Sequence, residues 1–80
     1  MQVQLITPEK ILFEGVASYV QVCGSQGEFG VLPNHSPLVS TLREGSIIVT
    51  LANGEKEEFH VVSGVAEVLP ESVTLLVETA

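Results

Sequence analysis

The side chains best suited to acid–base, nucleophilic or metal-binding work in this 80-residue chain are two histidines, one cysteine and ten glutamates, with no aspartate among them. His35 and His60, with Cys23 far from both in sequence, supply too few ligands for a zinc-type site. Cys23 and His35 could pair as nucleophile and base across a glycine-rich segment, but no third group stands ready to orient the imidazole. A hydrolytic pair of His35 and Glu28 meets the same objection. Glu55, Glu57 and Glu58 cluster beside an Asn-Gly turn signal, where charge on a solvated strand edge resists unwanted strand addition. The glycines do not follow a strand-then-helix order, so no phosphate cradle is indicated. These observations predict no catalytic residue, no metal and no cofactor.

Composition narrows the field further. Three basic and ten acidic side chains give 3 − 10 = −7 with neutral histidines, alongside 45% hydrophobic residues and a positive mean hydropathy. A phosphate backbone or an anionic leaflet repels such a chain. No apolar run approaches the roughly 20 residues of a spanning helix, so any membrane is reached through another protein. Met1 to Thr7 alternates polar and apolar residues, unlike an export signal. The single Cys23 can form no internal disulfide and reads as a small apolar residue in or beside a strand, which fits a reducing compartment. A chain this short buries only about 60% of what its unfolded form exposes. Some of the apolar content therefore waits for a permanent partner.

Positioning these residues falls to strands. Alternation of period two recurs throughout, and no helical stripe does. Val3 and Leu5 alternate with Gln2 and Gln4 up to a turn at Pro8-Glu9. Val16, Val20 and Val22 are assigned to one face of a second run, with Ala17, Tyr19 and Gln21 on the other. Gly24, Gly27 and Gly30 mark the first long loop. Ile47, Val49 and Leu51 precede Asn53-Gly54, a strong hairpin signal, and Phe59 and Val61 return on the inner face, opposite Lys56, Glu58 and His60. Ser63-Gly64 and Pro70-Glu71-Ser72 are read as turns around Val65 to Leu69, with Val73, Leu75 and Val77 beyond. Turns at 8 to 12 residue spacing predict two packed sheets. Tyr19, Ile48 and Leu76 fall on solvent faces, the mark of an apolar contact patch.

The richest segment runs from Gly27 through Glu28, Phe29, Gly30, Val31, Leu32, Pro33, Asn34, His35 and Ser36 to Pro37 and Leu38. Its prolines leave little entropy to lose on binding. Together with Thr7-Pro8-Glu9, Phe13-Glu14-Gly15, Leu42-Arg43-Glu44-Gly45, Ser63-Gly64 with Glu67-Val68, and Thr79-Ala80, this segment resembles the epsilon subunit (delta in mitochondria) of the rotary F-type ATP synthase. The resemblance is to its N-terminal domain and spans residues 1–80.

That resemblance implies an all-β fold, a two-sheet antiparallel β-sandwich of about ten short strands forming a single domain. It further implies a non-catalytic central-stalk subunit that binds the gamma subunit and the c ring, helping couple proton flow to ATP synthesis. Such a subunit lies peripherally on the cytoplasmic side of the bacterial inner (plasma) membrane. Residue by residue, Gln26, Gly27 and Glu28 would face the c ring, and His35 and Ser40 would lie against gamma. Gly30, Leu32, Pro33, Pro37, Gly45 and Gly64 would be structural positions of the motifs. Most members continue into a two-helix domain, absent after Ala80, so neither helix-based inhibition nor ATP binding is expected here. Many relatives carry Ser-Gly-Gly where this chain has Ser63-Gly64-Val65. The alternative is a stand-alone β-sandwich that binds a ligand such as a sugar through exposed aromatics. Only Phe13, Tyr19, Phe29 and Phe59 could serve it.

Overall fold

A computed structural model describes all residues 1–80. Eight strands form: β1 Gln2–Ile6, β2 Ile11–Gly24, β3 Gly27–Val31, β4 Leu38–Leu42, β5 Gly45–Leu51, β6 Lys56–Val61, β7 Ser63–Val68 and β8 Ser72–Glu78. The all-β expectation holds, with eight strands where about ten were anticipated. Hydrogen bonding follows the order β1-β8-β7-β4-β2-β5-β6, with β3 also on β2. The 14-residue β2 takes part twice. Its first half pairs with β1 and its second half with β3 and β5, so the continuous sheet folds into two layers. One contact departs from the all-antiparallel expectation: β1 runs parallel to β8, from Gln2 opposite Ser72 to Ile6 opposite Leu76.

Two irregularities let β2 serve both layers. Against β5, Ala17 pairs with Leu51 but Tyr19 pairs with Thr50, leaving Ser18 as an extra residue whose hydroxyl donates to the carbonyls of Thr50 and Leu51 at 3.3 and 3.4 Å. A bulge of this kind shifts which alternate residues face inward. Ala17 is therefore buried together with Val20 and Val22, while Val16 is 60% exposed. This reverses the assignment of Val16 and Ala17 from simple alternation. A second shift, against β1, falls between Leu5 and Ile6, which pair with Phe13 and Ile11.

The core is a single cluster of 16 buried residues, with Val3, Leu5, Val73, Leu75 and Val77 from one layer and Val20, Val22, Ile47, Val49 and Val61 from the other. The Phe13 and Phe59 rings, 6.3 Å apart and tilted by 60°, pack against it. A tilted aromatic pair contributes about 1 kcal/mol beyond its buried area. No buried side-chain polar atom lacks a hydrogen-bond partner. Thr7 is the one buried polar residue, and its hydroxyl accepts from the amides of Glu9 and Lys10 and donates to the Lys10 carbonyl, which closes the Pro8-Glu9 turn.

The corners differ in kind. Ala52–Gly54 is a three-residue hairpin loop: the Gly54 amide donates to Leu51 O at 2.9 Å, the Leu51 amide donates to Glu55 O at 2.7 Å, and Gly54 takes φ 90°. The Asn53-Gly54 hairpin is thus present, with Gly54 alone in the left-handed region. Ser63-Gly64 is not a turn. Both residues lie in β7 opposite Glu78 and Val77, and the chain changes direction at Val62, whose amide donates to Glu78 O. A Cβ at Gly64 would approach the Leu76 carbonyl oxygen to 2.6 Å, so only glycine allows this strand contact.

Neighbouring leucines on β8 provide a test. Leu75→Ala is expected to cost about 3 kcal/mol in urea unfolding, and Leu76→Ala, at a half-exposed position, less than about 1 kcal/mol. Equal losses would contradict the assignment of faces.

Candidate recognition surfaces

The β2–β3 hairpin carries the first group of anticipated contact residues. Cys23 pairs with Glu28 and Gly24 with Gly27, which leaves Ser25 and Gln26 as the two-residue tip. Gly27 has φ 134°, and a Cβ at Gly24 would come within 2.8 Å of the Phe29 ring. Both positions favour glycine for physical reasons. The tip is sewn to the end of β4. Ser25 N donates to Thr41 O at 2.9 Å, Thr41 Oγ1 donates to Ser25 Oγ at 2.8 Å, and Arg43 N donates to Cys23 O at 2.9 Å. Glu28 is not at the tip. It lies in β3, exposed, with Oε1 accepting from Gln21 Nε2 at 2.9 Å.

Gly30 is a strand residue as well, not part of a loop. A Cβ there would overlap the Tyr19 hydroxyl and ring, so this glycine makes room for the tyrosine across the outer face of β2 and β3. The loop proper is Leu32–Pro37. Asn34 adopts φ 67°, and its amide donates to Pro70 O at 2.8 Å, which ties this loop to the β7–β8 turn. Half-buried His35 donates from Nδ1 to the carbonyl of its neighbour Ser36 at 2.8 Å. Leu32, Pro33 and Pro37 are exposed. Ser40, in β4, donates to Thr41 O at 2.9 Å.

The anticipated groups are therefore distributed unexpectedly. Through Thr41 and Ser25, Ser40 stands next to the hairpin tip that holds Gln26 and Gly27. His35 belongs to a separate loop fastened to Pro70.

The anticipated apolar patch also divides. Tyr19 and Ile48 are half-buried on β2 and β5, with Ile48 opposite Gln21, whereas Leu76 is on β8 in the other layer. Around Leu76 the register assembles a different stripe. Ile11 pairs with Ile6, Ile6 with Leu76, and Leu76 with Val65, carrying the stripe across β2, β1, β8 and β7. Ile11, Leu76 and Val65 are 56, 47 and 42% exposed. Alternation did not reveal this stripe because it depends on the parallel β1–β8 pairing and on the second bulge of β2. Beside it, a shallow depression is lined by Pro8, Thr41, Leu42, Ser63, Gly64, Val65, Leu76, Val77 and Glu78, with no aromatic ring among them. Phe13, Phe29 and Phe59 instead pack against the core, which counts against the sugar-binding alternative.

No cluster of three or more metal-ligating side chains forms. His60 and Glu44, 3.3 Å apart, make one exposed pair worth little to stability. Cys23 is buried beneath the Arg43–Gly45 turn: its thiol donates to Arg43 O at 3.2 Å, and a Cβ at Gly45 would lie 2.9 Å from Cys23 Cβ. Burial pushes the thiol pKa up, with Glu28 adding to the effect, against a backbone hydrogen bond and Arg43. A raised thiol pKa disfavours the nucleophilic thiolate.

Comparison with known proteins agrees with this geometry. The family model of the ATP synthase delta/epsilon chain β-sandwich domain matches residues 1–80. The chain is 43% identical over 76 residues to the ATP synthase epsilon chain of Xanthomonas euvesicatoria, covering 95% of this chain and 54% of that protein. It is 42% identical over 80 residues to ATP synthase epsilon chain 2 of Ralstonia nicotianae, covering 100% of this chain and 58% of that one. It thus spans little more than half the length of these relatives. Among solved structures it superposes on a chain of the Euglena gracilis mitochondrial ATP synthase with a TM-score of 0.88 at 22% identity, covering 94% of this chain and 48% of that one. A chain of the Tetrahymena thermophila mitochondrial ATP synthase central stalk and c ring gives 0.77 at 17% identity, covering 96% and 62%.

The thiol yields a pH prediction. Because folding raises its pKa, the contribution of Cys23 is fully present below the ordinary thiol value of about 8.5 and fades as pH rises through the higher folded value. Urea midpoints should fall above that pH in the wild type and fall less steeply in Cys23→Ala. Parallel declines would contradict the shift. With the fold, the rigid loops and these relatives taken together, the chain belongs to the ATP synthase delta/epsilon chain β-sandwich domain family.

Proposed function

We infer that this single domain acts as a non-catalytic rotor element of an F-type ATP synthase, joining the gamma subunit to the c ring so that proton flow is coupled to ATP synthesis. The observation that carries this reading is the family match over the entire chain, reinforced by relatives named epsilon chain. The geometry supports it: two layers stiffened by a continuous core suit the transmission of torque, and recognition is left to fixed loops and an apolar stripe.

The gamma subunit covers the Ile11–Ile6–Leu76–Val65 stripe, where burying apolar area favours a permanent contact, and reaches the His35 loop and Ser40. The hairpin of Gln26, Gly27 and Glu28 faces the c ring. There the exposed Glu28 carboxylate, already oriented by Gln21, accepts charge-assisted hydrogen bonds from cationic or amide side chains of the ring. In this role the domain needs no cofactor, and it is held at the cytoplasmic face of a bacterial inner membrane through the complex.

Reconstitution with gamma and c ring tests both surfaces. Leu76→Arg is expected to weaken gamma capture by about tenfold while leaving the melting temperature nearly unchanged, since loss of a central apolar contact costs about 1–2 kcal/mol. Glu28→Lys is expected to retain gamma and loosen the c ring. Full gamma binding by Leu76→Arg would overturn the stripe assignment, and unchanged c-ring attachment and proton pumping in Glu28→Lys would remove Glu28 from that contact. His35→Ala with undiminished gamma affinity would make His35 a turn residue only.

A further inference from the structure

The tip of the β5–β6 hairpin combines an exposed Asn53 with Gly54, whose surroundings are open: a Cβ placed there would have no heavy atom within 4 Å. We propose that Asn53–Gly54 is a site of spontaneous backbone modification, converting to isoaspartate and aspartate, and that the hydrogen bonds of the folded tip hold this conversion down. The chemistry needs no catalyst or redox partner. The Gly54 backbone nitrogen loses its proton and attacks Asn53 Cγ, the bond from Cγ to the side-chain nitrogen breaks, and ammonia departs with that proton. The resulting five-membered imide is opened by one water at either carbonyl, giving aspartate or isoaspartate. A glycine after the asparagine leaves the attacking nitrogen unshielded by any side chain.

In the folded chain all the reacting groups are engaged. The Gly54 amide donates to Leu51 O at 2.9 Å, so the nucleophile is tied back to β5. Asn53 Oδ1 accepts from Glu55 N at 3.0 Å, and Asn53 Nδ2 donates to the Glu55 carboxylate at 3.0 Å, which directs the side-chain amide toward residue 55. Ring closure requires the Leu51 and Glu55 bonds to break together. The reaction therefore proceeds from an opened tip, and its rate reports opening of the end of β5 and β6. The product matters to the fold. Isoaspartate adds a main-chain carbon to a loop of three residues whose length sets the register of Thr50 opposite Lys56, and either product adds one negative charge to a tip that already holds Glu55, Glu57 and Glu58.

The test incubates the full chain at mildly alkaline pH, folded and in urea, and measures isoaspartate at position 53 by peptide mapping and methyltransferase labelling. The expected result is isoaspartate in both samples, formed at least about tenfold more slowly in the folded one, and none at this position in Asn53→Gln. Glu55→Ala should raise the folded rate and leave the urea rate unchanged. Equal rates in folded and unfolded chains, or a folded rate unmoved by Glu55→Ala, would overturn the protection assigned to the tip. Absence of isoaspartate at position 53 in urea would overturn the site itself.

Discussion

The double use of β2 is the constraint on which the rest of the fold depends. A strand alternates its side chains strictly, so one that serves two layers must break that alternation where it passes between them. Ser18 supplies the break, and its hydroxyl donates to the carbonyls of Thr50 and Leu51 across the bulge. Upstream of it Ala17 faces the core, and downstream Val20 and Val22 do. Without the bulge, one half of β2 would turn its apolar side chains to solvent, and neither layer could close over the other.

Once β2 is fixed, the surfaces follow. Its N-terminal half sets β1, which takes β8 as a parallel neighbour, and that pairing brings Ile6 and Leu76 side by side between Ile11 and Val65. Its C-terminal half sets the Ser25–Gln26 tip, which Thr41 and Arg43 bind to the end of β4. A chain with little buried area per residue thus spends few residues on flexible loops. Its candidate recognition elements are held by hydrogen bonds to neighbouring strands, which suits the force-transmitting role proposed above.

Much of this was legible in the sequence. The alternation of Val3 with Leu5, of Ile47 with Val49 and of Val73 with Leu75 and Val77 marks one face of each strand, the face that packs into the core, and Asn53-Gly54 locates its hairpin. The family motifs identified the domain. What stayed hidden was non-local. The parity shift at Ser18 exchanged Val16 for Ala17, and nothing local to that run distinguishes a bulge from continued alternation. Gly30 and Gly64 looked like loop and turn residues, but both are strand glycines required by close approaches, to the Tyr19 ring and to the Leu76 carbonyl. Local alternation does not encode the apolar stripe, because its four residues come from four strands. The resemblance groups Glu28 with Gln26 and Gly27, and the pairing of Gly24 with Gly27 places it one step along β3, beyond the tip.

In the proposed function the stripe, not the opposite outer face, receives the gamma subunit. Methyl NMR of the chain titrated with purified gamma measures this directly. The methyl resonances of Ile6, Ile11, Val65 and Leu76 are expected to move or broaden while those of Ile48 stay in place. Perturbation at Ile48 with the four stripe residues silent would contradict it.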